Sequence, residues 1–354
     1  MEGIINSFPG YEFIEGKNMY RGTDLGKGGY VYAEPGMYTD VALLDVASMH
    51  PNSIINMNVF GDHTKRYKAL VDVRLNIKHN DLDAVAHMFD GKLAKYLKDK
   101  ESVKALSGAL KIPINSVYGL TSAGFENPFR DIRNKNNIVA LRGALFMRTL
   151  QDEVQKRGFT VAHIKTDSIK IPNASQDIID FVMDFGKQYG YTFEHEATYE
   201  KMCLVNDAVY IAKYKDGDWT ATGTQFQIPY VFKKLFSRED ITFDDLCETK
   251  SVTSSLYLDM NENLPEGEHA YVFVGKVGRF CPIKPGCGGG ILYREKDGKY
   301  NAATGSKGYR WLESEMVKEK ENWRDIIDER HFIEMADTAV ETIMKYGDYD
   351  WFVS

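Results

Sequence analysis

Two aspartates open the chemical reading of this chain. Asp167 lies in HIKTDSIKI (residues 163–171), where Ile164 leads in, Ile169 and Ile171 lead out, and Lys165, Thr166 and Ser168 interrupt. That pattern predicts two short apolar arms with a carboxylate at the tip between them. Asp45 ends the strand read in DVALLDV (residues 40–46), whose residues 41–44 are apolar enough to be buried. A lone aspartate at a hairpin tip reads as a turn residue. Two at one sheet edge repel each other, and one is pushed neutral unless a cation joins them. Mg²⁺ accepts one or two protein carboxylates and keeps its other positions for water and substrate phosphates. Two such ions about 3.5–4 Å apart activate an attacking oxygen and stabilise a leaving one.

The elements that position these residues follow from periodicity. A helical pattern over residues 81–100 runs through Leu82, Val85, Ala86, Phe89, Leu93, Tyr96 and Leu97, and a second helical stretch is expected after ALSGAL (residues 105–110). Residues 138–156 place Leu141, Leu145, Phe146, Leu150 and Val154 on one face, with Gly158 as the stop. The two arms occupy residues 159–164 and 168–171, halted by Pro172. Ser175 can cap a helix through Ile178, Ile179, Val182 and Phe185 that ends near Gly190. DAVYIAKY (residues 207–214) reads as a strand, followed by a turn at KDGD. The order is strand, helix, strand, strand, helix, strand, with a helical insertion after the first strand. This is the α+β, ferredoxin-like pattern: an antiparallel sheet with two helices on one face. In it the strand ending at Asp45 and the hairpin at Asp167 can be neighbours.

At 354 residues the chain can hold two or three compact units, and 43% hydrophobic with 27% charged residues fits a soluble globular protein. No apolar run approaches the roughly 20 residues of a membrane span, so no membrane partner is expected. The first residues lack the basic start and apolar core of a signal peptide. Cys203, Cys247, Cys281 and Cys287 are too scattered for a disulfide framework or zinc site and read as thiols in a reducing cytoplasm. A net charge of −7 argues against indiscriminate nucleic-acid binding over the whole surface. It leaves room for a local basic stretch: Lys92, Lys95, Lys98, Lys100, Lys104 and Lys111 face only Asp99 and Glu101 in between. A solvated helix face is the plain alternative.

Three motifs in order carry a family resemblance. DVASMHPNSII (residues 45–55) resembles the D-x-x-S-L-Y-P-S-I-I segment of family B DNA polymerases. KIPINSVYG (residues 111–119) matches their K-x-x-x-N-S-x-Y-G at every fixed position, and KTDS (residues 165–168) is similar to their D-T-D-S with the first aspartate replaced. The resemblance covers about residues 28–214, is weaker beyond, and is greatest to the compact bacteriophage enzymes. It implies a ferredoxin-like palm, helical fingers and a mixed α/β thumb. The divisions expected are 1–60 for an N-terminal linker and first palm strand, 61–125 for fingers, 126–222 for palm, and 223–354 for a thumb with a β-rich subdomain.

The resemblance also implies roles. Asp45 and Asp167, with the Val46 carbonyl, would hold two Mg²⁺ ions, with Mn²⁺ as a substitute. The N–H groups of Ser48 and Met49 would hold triphosphate oxygens. Lys111, Asn115 and Tyr118 fall at i, i+4 and i+7 of one helix and share a face. There Lys111 would meet the phosphates as a catalytic cation and Tyr118 the nascent base pair, with Gly119 against the DNA. Pro113 fits best if that helix starts nearby. Lys92 and Lys95, one turn apart on the facing helix, would give a second phosphate contact. His50 stands where the family has a tyrosine that excludes the ribose 2′-hydroxyl. Lys165, Thr166 and Ser168 would lie beside the primer terminus. Ala208 replaces a basic residue that the family places before a strand tyrosine, here Tyr210. Lys233 and Lys234, in GTQFQIPYVFKKLFS (residues 223–237), would contact the DNA backbone.

No D-x-E in strand context precedes residue 45, so the expectation is a polymerase core without its own 3′-5′ exonuclease. That activity is then a separate polypeptide or other replisome subunit, lost, or removed. Primer–template DNA and dNTPs would be the partners, in the cytoplasm of a host cell. Two rivals keep parts of this picture: a decayed DNA-binding replisome scaffold, and a two-metal nuclease. Intact Asp45, Asp167 and Lys111 speak against the first. The nucleotide-gripping set Lys111, Asn115 and Tyr118 speaks against the second.

Further on, residues 255–303 read as β-rich with an Asp297–Gly298 hairpin turn. GSKGYRW (residues 305–311) mixes basic, glycine and aromatic residues as single-strand contacts do, or forms a turn before a helix. Residues 324–346 suggest an amphipathic helix with Ile333, Ala336, Val340, Ile343 and Met344 inward.

Overall fold

The computed structural model describes residues 2–121, 123–127 and 137–354. It divides into two compact units, Met1–Asp207 with Ala212–Gly217, and Ala208–Ile211 with Asp218–Ser354. It is mixed α+β with antiparallel sheets. No helix among the described residues is long and apolar enough to cross a membrane.

The first unit opens with helix α1 (Glu2–Ser7) and a small sheet of β1 (Glu12–Ile14), β2 (Lys17–Tyr20) and β3 (Thr23–Asp24). Next come β4 (Val31–Ala33), β5 (Gly36–Val46), α2 (Met49–Asn56), α3 (Thr64–Lys78), α4 (Leu82–His87), α5 (Lys100–Thr121) and α6 (Ile138–Lys156). The hairpin β6 (His163–Lys165) and β7 (Ser168–Ile171), then α7 (Gln176–Gln188) and β8 (Phe193–Asn206), complete it. Within the main sheet, five neighbouring strands run β8-β5-β7-β6-β4, every pair among them antiparallel.

Side-chain alternation along β5 decides what each face does. Ala42, Leu44 and Val46 are buried in the core with Ile169, Ile171 and Leu145. The helices α6 and α7 meet through Phe146 and Phe185, whose rings are 5.8 Å apart. Asp45, between Leu44 and Val46, therefore projects from the opposite face. Ser175 caps α7 by accepting from the Ile178 N–H at 3.4 Å, and Gly158 follows α6 with a φ of 84°, both as the sequence predicts.

Three expectations need correction here. The strand that follows α7 and pairs with β5 is β8, not residues 207–214, which form a further strand, β9 (Val209–Tyr214). The helix expected over residues 81–100 breaks after α4, because Phe89, Asp90 and Gly91 all adopt left-handed conformations. Pro113 lies inside α5 rather than near its start. Ala109 and Pro113 are both exposed, so the Ala109 carbonyl released by the missing N–H is open to water.

The second unit is built on a sheet ordered β14-β13-β11-β12-β15. With β10 (Trp219–Thr222) preceding them, these are β11 (Glu248–Asp259), β12 (Tyr271–Ile283), β13 (Ile291–Lys296), β14 (Lys299–Ala302) and β15 (Arg310–Glu313). Asp297 and Gly298 turn the β13–β14 hairpin with φ of 53° and 75°, as expected of a two-residue loop. GSKGYRW leads into β15, not a helix, and Trp311 is fully buried with Leu256, Leu258, Phe280 and Leu292. Its indole Nε1–H donates to Ser306 O at 2.9 Å, so Trp311 is core and is not available for stacking on a base. The last long helix, Arg330–Met344, buries Phe332, Ala336, Ala339 and Ile343, leaving Ile333 42% and Met344 62% exposed. Phe332, packed on Tyr230 at 5.4 Å, turns the apolar face by about one residue from the expected one. All four cysteines are free thiols, with Cys247 and Cys281 3.4 Å apart at sulfur.

Candidate active site

Asp45 sits opposite Ser168 on β7 and Glu194 on β8. Asp167 occupies the turn between β6 and β7, and its carbonyl accepts the Val46 N–H at 2.8 Å. The turn depends on Thr166, left-handed at φ 57° and tied by its N–H to Tyr30 O at 2.9 Å. Gly29 lies so close to the Thr166 side chain that any Cβ would overlap it. The two carboxylates are thus carried by segments joined through main-chain hydrogen bonds.

Both are half-buried. Burial, then the facing charge of Asp167 and that of Glu196, push Asp45 up to about 7. Burial raises Asp167 as well, against its own N–H and the His50 and Lys170 charges. Among the described residues no cluster of three or more histidine, cysteine or acidic groups could hold a metal. The candidates are therefore two carboxylates and a main-chain carbonyl, a set that suits Mg²⁺.

The chain after Asp45 turns sharply. Ser48 is left-handed at φ 56°, and α2 starts at Met49 without a side-chain cap. Met49 is buried, with Gly143 of α6 against its sulfur. His50 stacks on Tyr118 of α5, centroids 4.6 Å apart and planes 3° from parallel. Burial lowers the His50 pKa, against the pull of Asp167, and its Nδ1 is buried without a partner among the described residues. The Tyr118 hydroxyl donates to Asn137 Oδ1 at 2.9 Å, and Asn137 Nδ2 donates to Lys27 O at 2.9 Å.

Asp45, Val46, Ser48, Met49, His50, Tyr118 and Asp167 are brought together by these contacts. Lys111, Asn115 and Gly119 share α5 with Tyr118, with exposed side chains at the first two. Lys165 and Ser168 face each other across the hairpin beside Asp167. Lys92 and Lys95 do not share a helix: Lys95 belongs to a single 3₁₀ turn, Ala94–Tyr96, with its ammonium 4.9 Å from the Tyr96 ring centre, and Lys92 lies outside it. Tyr210 falls in the second unit's segment Ala208–Ile211. So do Lys233 and Lys234 in the segment Asp218–Ser354, and Lys233 is paired with Asp245 at 2.8 Å.

Two clusters escaped sequence reasoning. Lys78 at the end of α3 pairs with Glu194 and lies 3.8 Å from Glu196, while His79 Nε2 is 3.1 Å from Glu194 Oε1. Burial works against the Glu194 charge, but the bonds from Lys78 and His79 hold it below the usual range. Lys170, 4% exposed, lies on the Asp45 face of the sheet, with its Nζ 3.0 Å from His163 Nδ1. Burial lowers it to about 8, opposed by the Asp45 charge. Nothing in the local pattern separates a buried lysine on a strand from an exposed one.

No family model matches the chain, and no curated protein matches it. Among solved structures it is similar to the family B DNA polymerase from the hyperthermophilic archaeon Pyrobaculum calidifontis, with a TM-score of 0.48 and 13% identity. That match covers 89% of this chain and 46% of the other, so the chain spans about half the length of the structure it matches.

Proposed function

We propose that this chain is the core of a template-directed DNA polymerase of the family B type, adding dNMP to a primer 3′-hydroxyl. The observation that carries the reading is the junction of Asp45 and Asp167, linked by the Val46 N–H to Asp167 O bond of 2.8 Å, beside the His50–Tyr118 stack. The β5, α6, β6, β7, α7, β8 arrangement serves as a ferredoxin-like palm, and α3 to α5 as fingers.

Asp45, Asp167 and the Val46 carbonyl would hold Mg²⁺, which when bound supplies charge neutralisation for a triphosphate and acidifies a hydroxyl. The chain's own groups do the rest. Neither Ser48 nor Met49 has a main-chain acceptor for its N–H among the described residues, leaving both to donate to phosphate oxygens. Neutral His50, braced by Tyr118, forms an apolar floor for the sugar. Lys111 and Asn115 line the same helix face as Tyr118 and grip the phosphates. Catalysis here is positioning and charge stabilisation.

Extension of a labelled primer on its template with Mg²⁺ and dNTPs, beside Asp167→Ala, tests the reading. Templated extension lost in the variant supports it. No extension by folded chain that still binds DNA sinks it in favour of a scaffold. Cleavage of the primer without dNTPs, dependent on Asp167, points to the nuclease.

A further inference from the structure

The second unit carries a cleft that the proposed reaction does not use. Its floor is residues 249–254 of β11, its far wall is the β13–β14 hairpin, and its volume is about 820 Å³. The cleft opens because β13 pairs with β11 only from Ser255↔Glu295 onward. On the other side β12 covers β11 only as far as Ser251, and the ladder resumes at Leu256. Among the described residues, 252–254 therefore have a ladder partner on neither side. Such a stretch is a strand edge, without a strand partner on the β13 side throughout residues 249–254.

The far wall is mostly cationic, with Arg294, Lys296 and Lys299 against the single carboxylate of Asp297. Arg294 and Lys296 point to one face about 6.8 Å apart along the strand, and Lys299 stands directly across from Lys296. Like charges opposite each other destabilise a hairpin. Yet Arg294, Lys296 and Lys299 are all exposed and have no acidic partner within ion-pair distance among the described residues. Lys250, by contrast, is engaged by Glu248 at 2.7 Å and by Thr304 O at 3.0 Å.

Edge and charge together select the occupant. A phosphodiester backbone offers acceptors only and would set phosphates against the edge carbonyls. An extended peptide supplies donors and acceptors in alternation, and carboxylates on alternate residues would reach the cations. We propose that this cleft binds an acidic, extended segment of a partner protein as an added strand along residues 249–254, with its carboxylates on Arg294, Lys296 and Lys299. The site is independent of the polymerase reading and needs neither metal nor turnover.

Fluorescence anisotropy on the full chain in EDTA tests it. The probe is a labelled peptide of alternating valine and glutamate, about six residues long, the length of a common strand. A valine–lysine peptide and an oligothymidine run in parallel. Saturable binding of the acidic peptide is expected, weakened about tenfold or more by Arg294→Glu with Lys296→Glu and Lys299→Glu. Thr253→Pro removes one edge N–H where no ladder bond exists and should weaken it similarly. Thermal melting checks each fold, and if Thr253→Pro unfolds, reversal of the three exposed charges decides by itself. Acidic-peptide binding that is absent, or indifferent to the charge reversal, overturns the proposal. Oligothymidine binding that the reversal abolishes, without peptide binding, overturns it in favour of a nucleic-acid site.

Discussion

In the first unit Asp45 and Asp167 are half-buried next to each other, whereas in the second Arg294, Lys296 and Lys299 stand exposed across an open cleft. Both sets are like charges held close. Burial, then the facing charge of Asp167, raises Asp45 to about 7, so this pair favours a proton or a bridging cation over two free charges. Exposure lets the cations stay charged under solvent and salt. In the readings proposed above, the first arrangement would take an ion and do chemistry, and the second would dock a partner reversibly and salt-sensitively.

The most severe break of this contrast is Asp167→Ala, which should cut primer extension about 10³-fold or more while leaving the fold intact. Rapid-quench extension beside a melting curve checks it. Reversing the three cleft cations should leave that extension rate within about twofold, the size of an ordinary surface change, so a collapse of activity would erase the distinction between the two sites.

His50→Tyr sharpens the picture of the first site. A phenol in place of imidazole should raise discrimination against ribonucleotides on the order of tenfold, read from paired dNTP and rNTP incorporation. Unchanged discrimination would remove His50 from the sugar contact.

The protonation of Asp45 gives a further handle. Because its folded pKa lies above the ordinary value, its contribution favours the fold at low pH and is lost as pH rises through about 7. Asp167, Glu194, Glu196, Lys78 and Lys170 are the charged groups around it. In EDTA, Asp45→Asn should melt about 2–4 °C above the wild type at pH 8 and show a smaller gain at pH 5. Mg²⁺ should close the gap. The smallest effect is expected at Lys78→Met: its bond to Glu194 is half exposed, so stability should drop by less than about 1 kcal/mol.

Much of the first unit's core is written locally. Leu141 to Val154 at helical spacing, the Ser175 cap and the isoleucines around Asp167 each declare an element without help from the rest of the chain. β8 does not. Its FEHEATYEKMCLVN carries three glutamates, a histidine and a lysine, and its place is set by pairing with β5 across a register shift at Leu43/Leu44. The neighbours of Asp45 on that side, Glu194 and through it Lys78 and His79, were hidden for the same reason. At residues 324–346 the period was legible, but the phase was not, since Phe332 on Tyr230 chooses it. Lys92 and Lys95 lost their common helix to three successive left-handed residues that no propensity of Phe89 foretells.

The bond from the Val46 N–H to the Asp167 carbonyl has a consequence for observation. That amide can trade its hydrogen for deuterium only when the strand end and the hairpin tip part. Its protection factor therefore reads out how often the two halves of the carboxylate pair separate, in a chain at rest, with no substrate, primer or metal added.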